Sequence, residues 1–254
     1  MDISLFSVNQ FPYLEVRRPF ILGTAEQQWK PTISHFFAEV LHKKGLLRRL
    51  YTQNIDGLDS SLDIEEGKVV HLHGTLSKVQ CEFCKENYPP ELFQVEVRTK
   101  IRNIYDPLDD SAPKSSSNIY CRRCSKAGVK PATVMYGSSL PKKVFRSISA
   151  DFPANVDLLI IAGTSLTVSP ACNLVSMVTE GTPRLLVNKD LVGEQLGLDF
   201  SGSTLDGFFQ GDCDQGFLFL CRELGWLEDL VACVDRMCPS SVAALRQTLV
   251  AAKL

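Results

Sequence analysis

The chain has 254 residues, 44% of them hydrophobic and 22% charged, enough to bury one large core or one core with a smaller satellite. Its formal net charge of −2 and its scattered Lys and Arg give no general attraction to nucleic acid, and no run approaches the roughly 18 consecutive apolar residues of a membrane-spanning helix. Nine cysteines, four of them in two Cys-x-x-Cys pairs, suit metal binding in a reducing compartment better than a disulfide framework.

Residues 1–45 read as a helical part. Met1-Asp2-Ile3-Ser4 carries neither a secretory signal nor an Arg-rich transit pattern, which predicts an intracellular protein of the cytoplasm or nucleus, with a mitochondrial address left open should residues precede Met1. From Pro31 to Leu41, Ile33, Phe36, Phe37, Val40 and Leu41 form the stripe of an amphipathic helix, with Pro31 suited to its first turn and Gly45 to its stop. Short apolar runs at Leu50 to Thr52 and Lys68 to Leu72 read as buried strands. Tyr105 to Asn118, with its prolines, aspartates and serine run, reads as a solvated loop too polar to pack. Further strands are expected at Asp157 to Ala162, Arg184 to Val187 and Gly207 to Phe209, then a helix from Gln215 to Leu224. The alternation predicts an α/β fold with a parallel sheet, spanning residues 1–75 and 134–254, and an inserted module at 76–133.

Cys81-x-x-Cys84 and Cys121-x-x-Cys124 supply four thiolates, and each two-residue spacer lets a tight turn present both sulfurs to one ion. Such a set leaves no open coordination position, so the metal is expected to be structural Zn²⁺, which a module this small needs for want of apolar surface. Cys172, Cys221, Cys233 and Cys238 lie in apolar surroundings and read as buried core residues.

Unusual polar residues fall just after the predicted strands: Gln53-Asn54-Ile55-Asp56, His73-Gly74, Gly163-Thr164-Ser165, Asn188 and Asp212-Cys213. In an open parallel sheet these carboxyl ends share one edge, where such sheets bind ligands. Gly163-Thr164-Ser165 lets a phosphate or ribose approach the backbone, with hydroxyls and the amides of a following helix as donors; taken alone it is also ordinary turn chemistry. His73, beside a glycine that opens access to its ring, suits a general base, and His71, two residues earlier, is a rival on the same face if the strand persists. His35 and His42, on and near the amphipathic helix, read as structural.

In order, Thr52-Gln53-Asn54-Ile55-Asp56, His73-Gly74, the two cysteine pairs, Lys130-Pro131, Gly163-Thr164-Ser165-Leu166, Leu186-Val187-Asn188 and Gly211-Asp212-Cys213 resemble the signature of the sirtuins, NAD-dependent protein-lysine deacylases. The resemblance runs from about Leu5 to Trp226 and is strongest to the eukaryotic class containing the cytosolic tubulin-directed and mitochondrial deacetylases. It implies a Rossmann-like domain with an inserted zinc module, NAD and Zn as cofactors, and acyl-lysine proteins or peptides as partners, with neither nucleic acid nor membrane among them. It implies that Gln53, Asn54 and Asp56 surround the nicotinamide and its ribose, that Thr164, Ser165, Asn188, Lys189, Asp190 and Cys213 line the adenosine half, and that Ile55, Gly163 and Asp212 belong to the same cofactor site. Val134, Met135, Tyr136, Gly137 and Val168 would flank the acyl-lysine peptide. In the implied reaction the acyl oxygen attacks the nicotinamide ribose as nicotinamide departs. His73 then acts as base on a ribose hydroxyl, giving free lysine and an acyl-ADP-ribose ester.

Three departures qualify the resemblance. Sirtuins open this fold with a strand, a Gly-Ala-Gly-x-Ser loop and an Asp-Phe-Arg element, and Leu5 aligns after all three. That loop's amides would cradle the pyrophosphate, so the chain as it stands is expected to bind NAD weakly and to be nearly inactive. Where the family has Pro-Asp-x-Val-x-Phe-Gly-Glu, this chain reads Pro131-Ala132-Thr133-Val134-Met135-Tyr136-Gly137-Ser138, without either carboxylate, and its segment between the cysteine pairs is longer. Two functional classes follow: an NAD-dependent deacylase, or a catalytically dead module that binds zinc and acylated peptides.

Overall fold

The computed structural model describes residues 2–202 and 205–252. In chain order the elements are α1 (Ile3–Val8), α2 (Phe11–Ala25), α3 (Ile33–Lys43), β1 (Leu50–Thr52), β2 (Val69–His71), β3 (Gly74–Cys81), α4 (Pro90–Lys100), β4 (Val129–Thr133), α5 (Lys142–Asp151), β5 (Leu159–Ala162), β6 (Arg184–Asn188), β7 (Gly207–Gln210), α6 (Cys213–Glu223), α7 (Leu227–Val231) and α8 (Pro239–Ala251). Every strand expected from the sequence forms. The amphipathic stripe becomes α3, which stops before Gly45 at φ +72°, where the missing Cβ permits the left-handed turn. No helix among the described residues is long and apolar enough to cross a membrane.

The chain divides into two compact units. The first gathers the residues through Trp29 with Thr52–Ser60 and His71–Pro141. Its frame is the antiparallel pair β3–β4, whose register slips between Thr75 and Val79. Around that pair, Phe6 and Tyr13 from the N-terminal helices, Phe93 and Val97 from α4, and Cys81 and Cys121 form one buried cluster. The segment between the cysteine pairs departs from the expected solvated loop. Asp109 pairs with the buried Arg18 at 3.5 Å, the Tyr105 hydroxyl donates to the Val16 carbonyl, and Ser116 donates to Glu15 at 2.7 Å. The loop is polar because its polar groups are consumed by α2, and Ala112 is buried beneath it.

The second unit gathers Lys30–Tyr51, Ser61–Val70 and the chain from Lys142 onward. Its sheet is parallel in the order β5-β6-β7, with Ile161 opposite Leu186 and Leu186 opposite Phe208. Gly216 lets α6 lie close on β6, since a Cβ there would collide with Val187. Phe37 of α3 stacks on Phe217 of α6 at 4.5 Å between ring centres. β1 and β2 pair separately, so the expected single sheet edge is two edges: no strand among the described residues hydrogen-bonds both β1–β2 and β5. Three ion-pair networks lock this unit. Glu39 accepts from Lys43 and Arg236, Asp151 from Arg48, Arg49 and Tyr51, and Arg184 holds Asp206 at 2.6 Å. Burial alone would raise the Glu39 carboxyl, but the hydrogen bonds from Arg236 and Lys43 outweigh it and hold the group at about 2.

Candidate functional site

In the first unit two turns of the same build face each other. The amide of Lys85 donates to the Cys81 carbonyl and that of Ser125 to the Cys121 carbonyl, both at 2.9 Å, while Lys85 and Ser125 each sit at φ +57°. The repeated geometry brings Cys81 to 3.6 Å from Cys124 and Cys84 to 3.6 Å from Cys121, and all four sulfurs lie within 4.8 Å of one another. A tetrahedron with Zn–S bonds of about 2.3 Å has edges of about 3.8 Å, so the set fits zinc. Burial pushes the Cys81 thiol up to about 12. At Cys121 burial again opposes ionisation, but the amides of Cys124 and Arg123 outweigh it and bring the thiol down to about 7. A bound dication would supply the charge that four crowded thiolates otherwise lack.

The same unit holds the predicted base. β2 ends at His71, and the chain turns before β3, so His73 does not share the face of His71. His71 instead points its Nδ1 to within 3.8 Å of the buried Asp59 carboxylate. His73 has its Nδ1 3.0 Å from the Gln53 carbonyl oxygen. A carbonyl only accepts, so the ring proton sits on Nδ1 and Nε2 is left as a lone-pair acceptor, the form a general base requires. Gly74 follows at φ +76°, and a Cβ there would collide with the Ala132 carbonyl, so only glycine lets β4 approach this turn. Gln53, Asn54, Ile55 and Asp56 run from the end of β1. The Asn54 amide donates to Thr52 Oγ1 at 3.1 Å, the Asp56 carboxylate caps the Leu58 amide at 2.9 Å, and Asn54 itself is exposed. The Val134 amide donates to the His73 carbonyl at 2.8 Å, which brings the predicted peptide-flanking segment to the base. Within that segment Met135 is buried in the core, Val134 is half-buried and Tyr136 is 77% exposed, so Tyr136 is the side chain most open to a ligand.

In the second unit a cleft of about 800 Å³ opens at the carboxyl ends of β5, β6 and β7. Gly163, Thr164, Ser165, Asn188, Lys189, Asp190, Asp212 and Cys213, eight residues predicted for the cofactor site, all line it. The Gly163 amide extends the ladder to the Val187 carbonyl, and the residue sits at φ +58° with open space where a side chain would be, apart from the Cys213 sulfur. Asn188 donates to the Asp190 carbonyl at 2.9 Å and so fixes the turn after β6. Lys189 and Asp212 pair at 2.8 Å on the exposed side of the cleft. Asp212 stands at the N-cap position of α6 without a side-chain bond to the helix amides, and the first residues of α6, Cys213, Asp214 and Gln215, line the same space. Burial and the Asp214 and Asp212 carboxylates push the Cys213 thiol up, making it a neutral lining group and not a nucleophile.

Several features depart from expectation. No α-helix follows Ser165 directly: Leu166 takes a left-handed φ of +54°, its amide bonds back to Thr164 Oγ1, and a short 3₁₀ helix begins only at Ala171. The start of α6 lines this cleft instead. Ser240 and Ala244 of α8 also line it, far along the chain from any motif. Cys172, Cys221 and Cys233 are buried as expected, whereas Cys238 is half-buried at the N-cap of α8 with its sulfur 3.2 Å from the Ser240 and Ser241 hydroxyls.

Comparison with known proteins places these sites in context. A model described as the Sir2 family matches residues 10–170. The NAD-dependent protein deacetylase sirtuin-2 of Danio rerio is 34% identical over 251 residues, a match covering 92% of this chain and 60% of the relative. The NAD-dependent protein deacetylase sirtuin-3 of Mus musculus is 34% identical over 235 residues, covering 92% and 63% respectively. The NAD-dependent protein deacetylase hst2 of Schizosaccharomyces pombe is 30% identical over 234 residues, covering 92% and 62%. The chain thus spans roughly three-fifths of the length of each relative.

Proposed function

The chain belongs to the Sir2 family, and on that footing we propose that it is an NAD-dependent protein-lysine deacylase that yields nicotinamide, O-acyl-ADP-ribose and free lysine. The observation that carries this reading is the cleft at the ends of β5, β6 and β7, where eight residues expected to contact NAD come together. Open space at Gly163, the Asn188 amide and the α6 amides give the adenosine and its phosphates backbone and side-chain donors. NAD, when bound, would supply the ribose carbon that the acyl oxygen attacks as nicotinamide leaves, and the ribose hydroxyl that carries the acyl group once water has released the lysine. His73, with Nδ1 held by the Gln53 carbonyl, takes a proton from a ribose hydroxyl at Nε2, while Gln53, Asn54, Ile55 and Asp56 hold the nicotinamide end. Val134 to Gly137 and Val168 flank the acyl-lysine peptide, with Tyr136 as the most exposed contact. Cys81, Cys84, Cys121 and Cys124 hold one structural zinc within the module of residues 76–133. An intracellular location, where NAD and acylated proteins are found, accords with this reading.

The test pairs two measurements on the zinc-loaded chain carrying an added N-terminal Gly-Ala-Gly-x-Ser segment. Calorimetry with ADP-ribose and NAD is expected to give one site each, lost on Gly163→Val, and an acetyl-lysine peptide with NAD is expected to release nicotinamide in proportion to free lysine. Binding of the peptide with no binding of either nucleotide would replace this reading with that of a zinc- and peptide-binding module.

A further inference from the structure

Lys130 is fully buried in β4, yet it has no part in any chemistry derived above. Its ammonium donates to the Pro131 carbonyl at 3.0 Å and to the Thr133 carbonyl at 2.6 Å, and it pairs with Glu82 at 3.1 Å. All three N–H groups are thereby used, and the Tyr13 ring covers the charge at 5.7 Å. This arrangement occurs where the β3–β4 ladder fails. The register slips between Thr75 and Val79, opposite Ala132 and Pro131, and Pro131 has no amide to donate. Where a ladder slips, its pairing is irregular and side-chain donors to the nearby carbonyls help to fix the backbone. The Lys130 side chain does so, and Tyr13 adds a 2.6 Å bond to the Thr133 hydroxyl. Immediately beyond this clamp the Val134 amide holds the His73 carbonyl at 2.8 Å, and His73 Nδ1 reaches the Gln53 carbonyl. At its other end Glu82 stands between Cys81 and Cys84.

We propose that Lys130 is a positioning residue for His73: by clamping the Pro131 and Thr133 carbonyls it fixes the end of β4, and through Val134 it sets the orientation and tautomer of the His73 ring. The proposal rests on the reading of His73 as the base, but its geometry can be tested without turnover. A purely structural lysine would matter through its charge pair alone. Lys130→Met strands the Glu82 carboxylate in a nearly dry site and is expected to lower the melting temperature. Lys130→Met/Glu82→Gln removes both charges and should recover most of that melting temperature.

The deciding measurement is the ring nitrogen spectrum of the zinc-loaded full chain, which has only four histidines. In the native protein the Nδ1–H form of His73 dominates. In the double variant that form is expected to become a minority, while the signals of His35 and His42 stay in place. A double variant whose His73 spectrum matches the native one overturns the proposal, and so does one that fails to fold, since Lys130 would then hold the unit together without setting the ring. Retained deacylation after His73→Ala would instead remove the base assignment and leave the spectral result standing.

Discussion

The first unit takes its core from a slipped antiparallel hairpin and counts two of its four metal-facing cysteines among its buried residues, whereas the second packs helices on a regular parallel sheet. The contrast extends to charge. The first unit gathers thiols that need a cation, and the second buries carboxylates that already have their cations in Arg49, Arg236 and Arg184. Stability should accordingly be linked to metal in one and to pH in the other, and each unit carries one of the two tryptophans, Trp29 in the first and Trp226 in the second.

The largest expected effect is removal of zinc. Structural zinc contributes an apparent folding free energy of about 10–16 kcal/mol, more than a domain of this size holds in reserve. Chelation, or the pair Cys81→Ser and Cys121→Ser, is expected to move the emission of Trp29, which stacks on Phe20, before that of Trp226. Tryptophan-to-phenylalanine variants separate the two signals. Zinc content and melting unchanged in both cysteine variants would sink the metal assignment and with it the contrast.

Next comes the base. His73→Ala should lower deacylation by about 10²–10⁴-fold, the usual worth of a positioned general base, and His71→Ala should leave substantial activity. The assay is best run on a chain preceded by a Gly-Ala-Gly-x-Ser segment, so that nucleotide binding does not limit it. Equal losses in the two variants would mean that the turn after β2 does not separate their roles.

The second unit should answer to acid. The Glu39 carboxyl is held at about 2 against an ordinary 4.5, so between those values the unfolded chain binds more protons than the folded one. Its contribution is whole above pH 4.5 and is lost as the pH falls towards 2. Asp151 and Asp214 are depressed in the same direction: burial opposes, and the hydrogen bonds from Arg49 and from Ser241 outweigh it. Glu39→Ala should cost about 2–3 kcal/mol at neutral pH, below the ~3–5 of a fully buried pair because Arg236 and Lys43 both reach solvent. The variant should also flatten the acid limb of a urea melt followed at Trp226, and an unaltered limb would assign the acid sensitivity elsewhere.

What the sequence disclosed follows the same division. The strands and α3 were legible because apolar runs and an amphipathic stripe are local signals, and the cysteine pairs because two residues are enough spacing to form each turn. Partners supplied from afar were not legible. The segment from Tyr105 to Asn118 reads as solvent-loving until Glu15, Val16 and Arg18 are seen to meet its polar groups, and Ser240 and Ala244 reach the cleft only because α8 folds back on α6. The choice between His71 and His73 could not be made from spacing either, because residues two apart share a face only while a strand lasts, and β2 ends at His71.

The smallest effect concerns the other kind of histidine. At the start of α3 the Thr32 backbone amide donates to His35 Nδ1 at 3.2 Å, so here Nδ1 carries the lone pair and the proton sits on Nε2, the reverse of His73. His35 stands at the third helical position, where a glutamate or glutamine ordinarily closes a capping box. His35→Ala should therefore cost about 0.5–1 kcal/mol in a urea melt, and His35→Gln should restore most of it, because the glutamine oxygen can accept from the same amide. Neither change should alter the His73 ring spectrum, since His35 belongs to the second unit and acts only on the helix it caps. A glutamine variant as weak as the alanine one would show that the ring's bulk, and not its bare nitrogen, is what α3 requires.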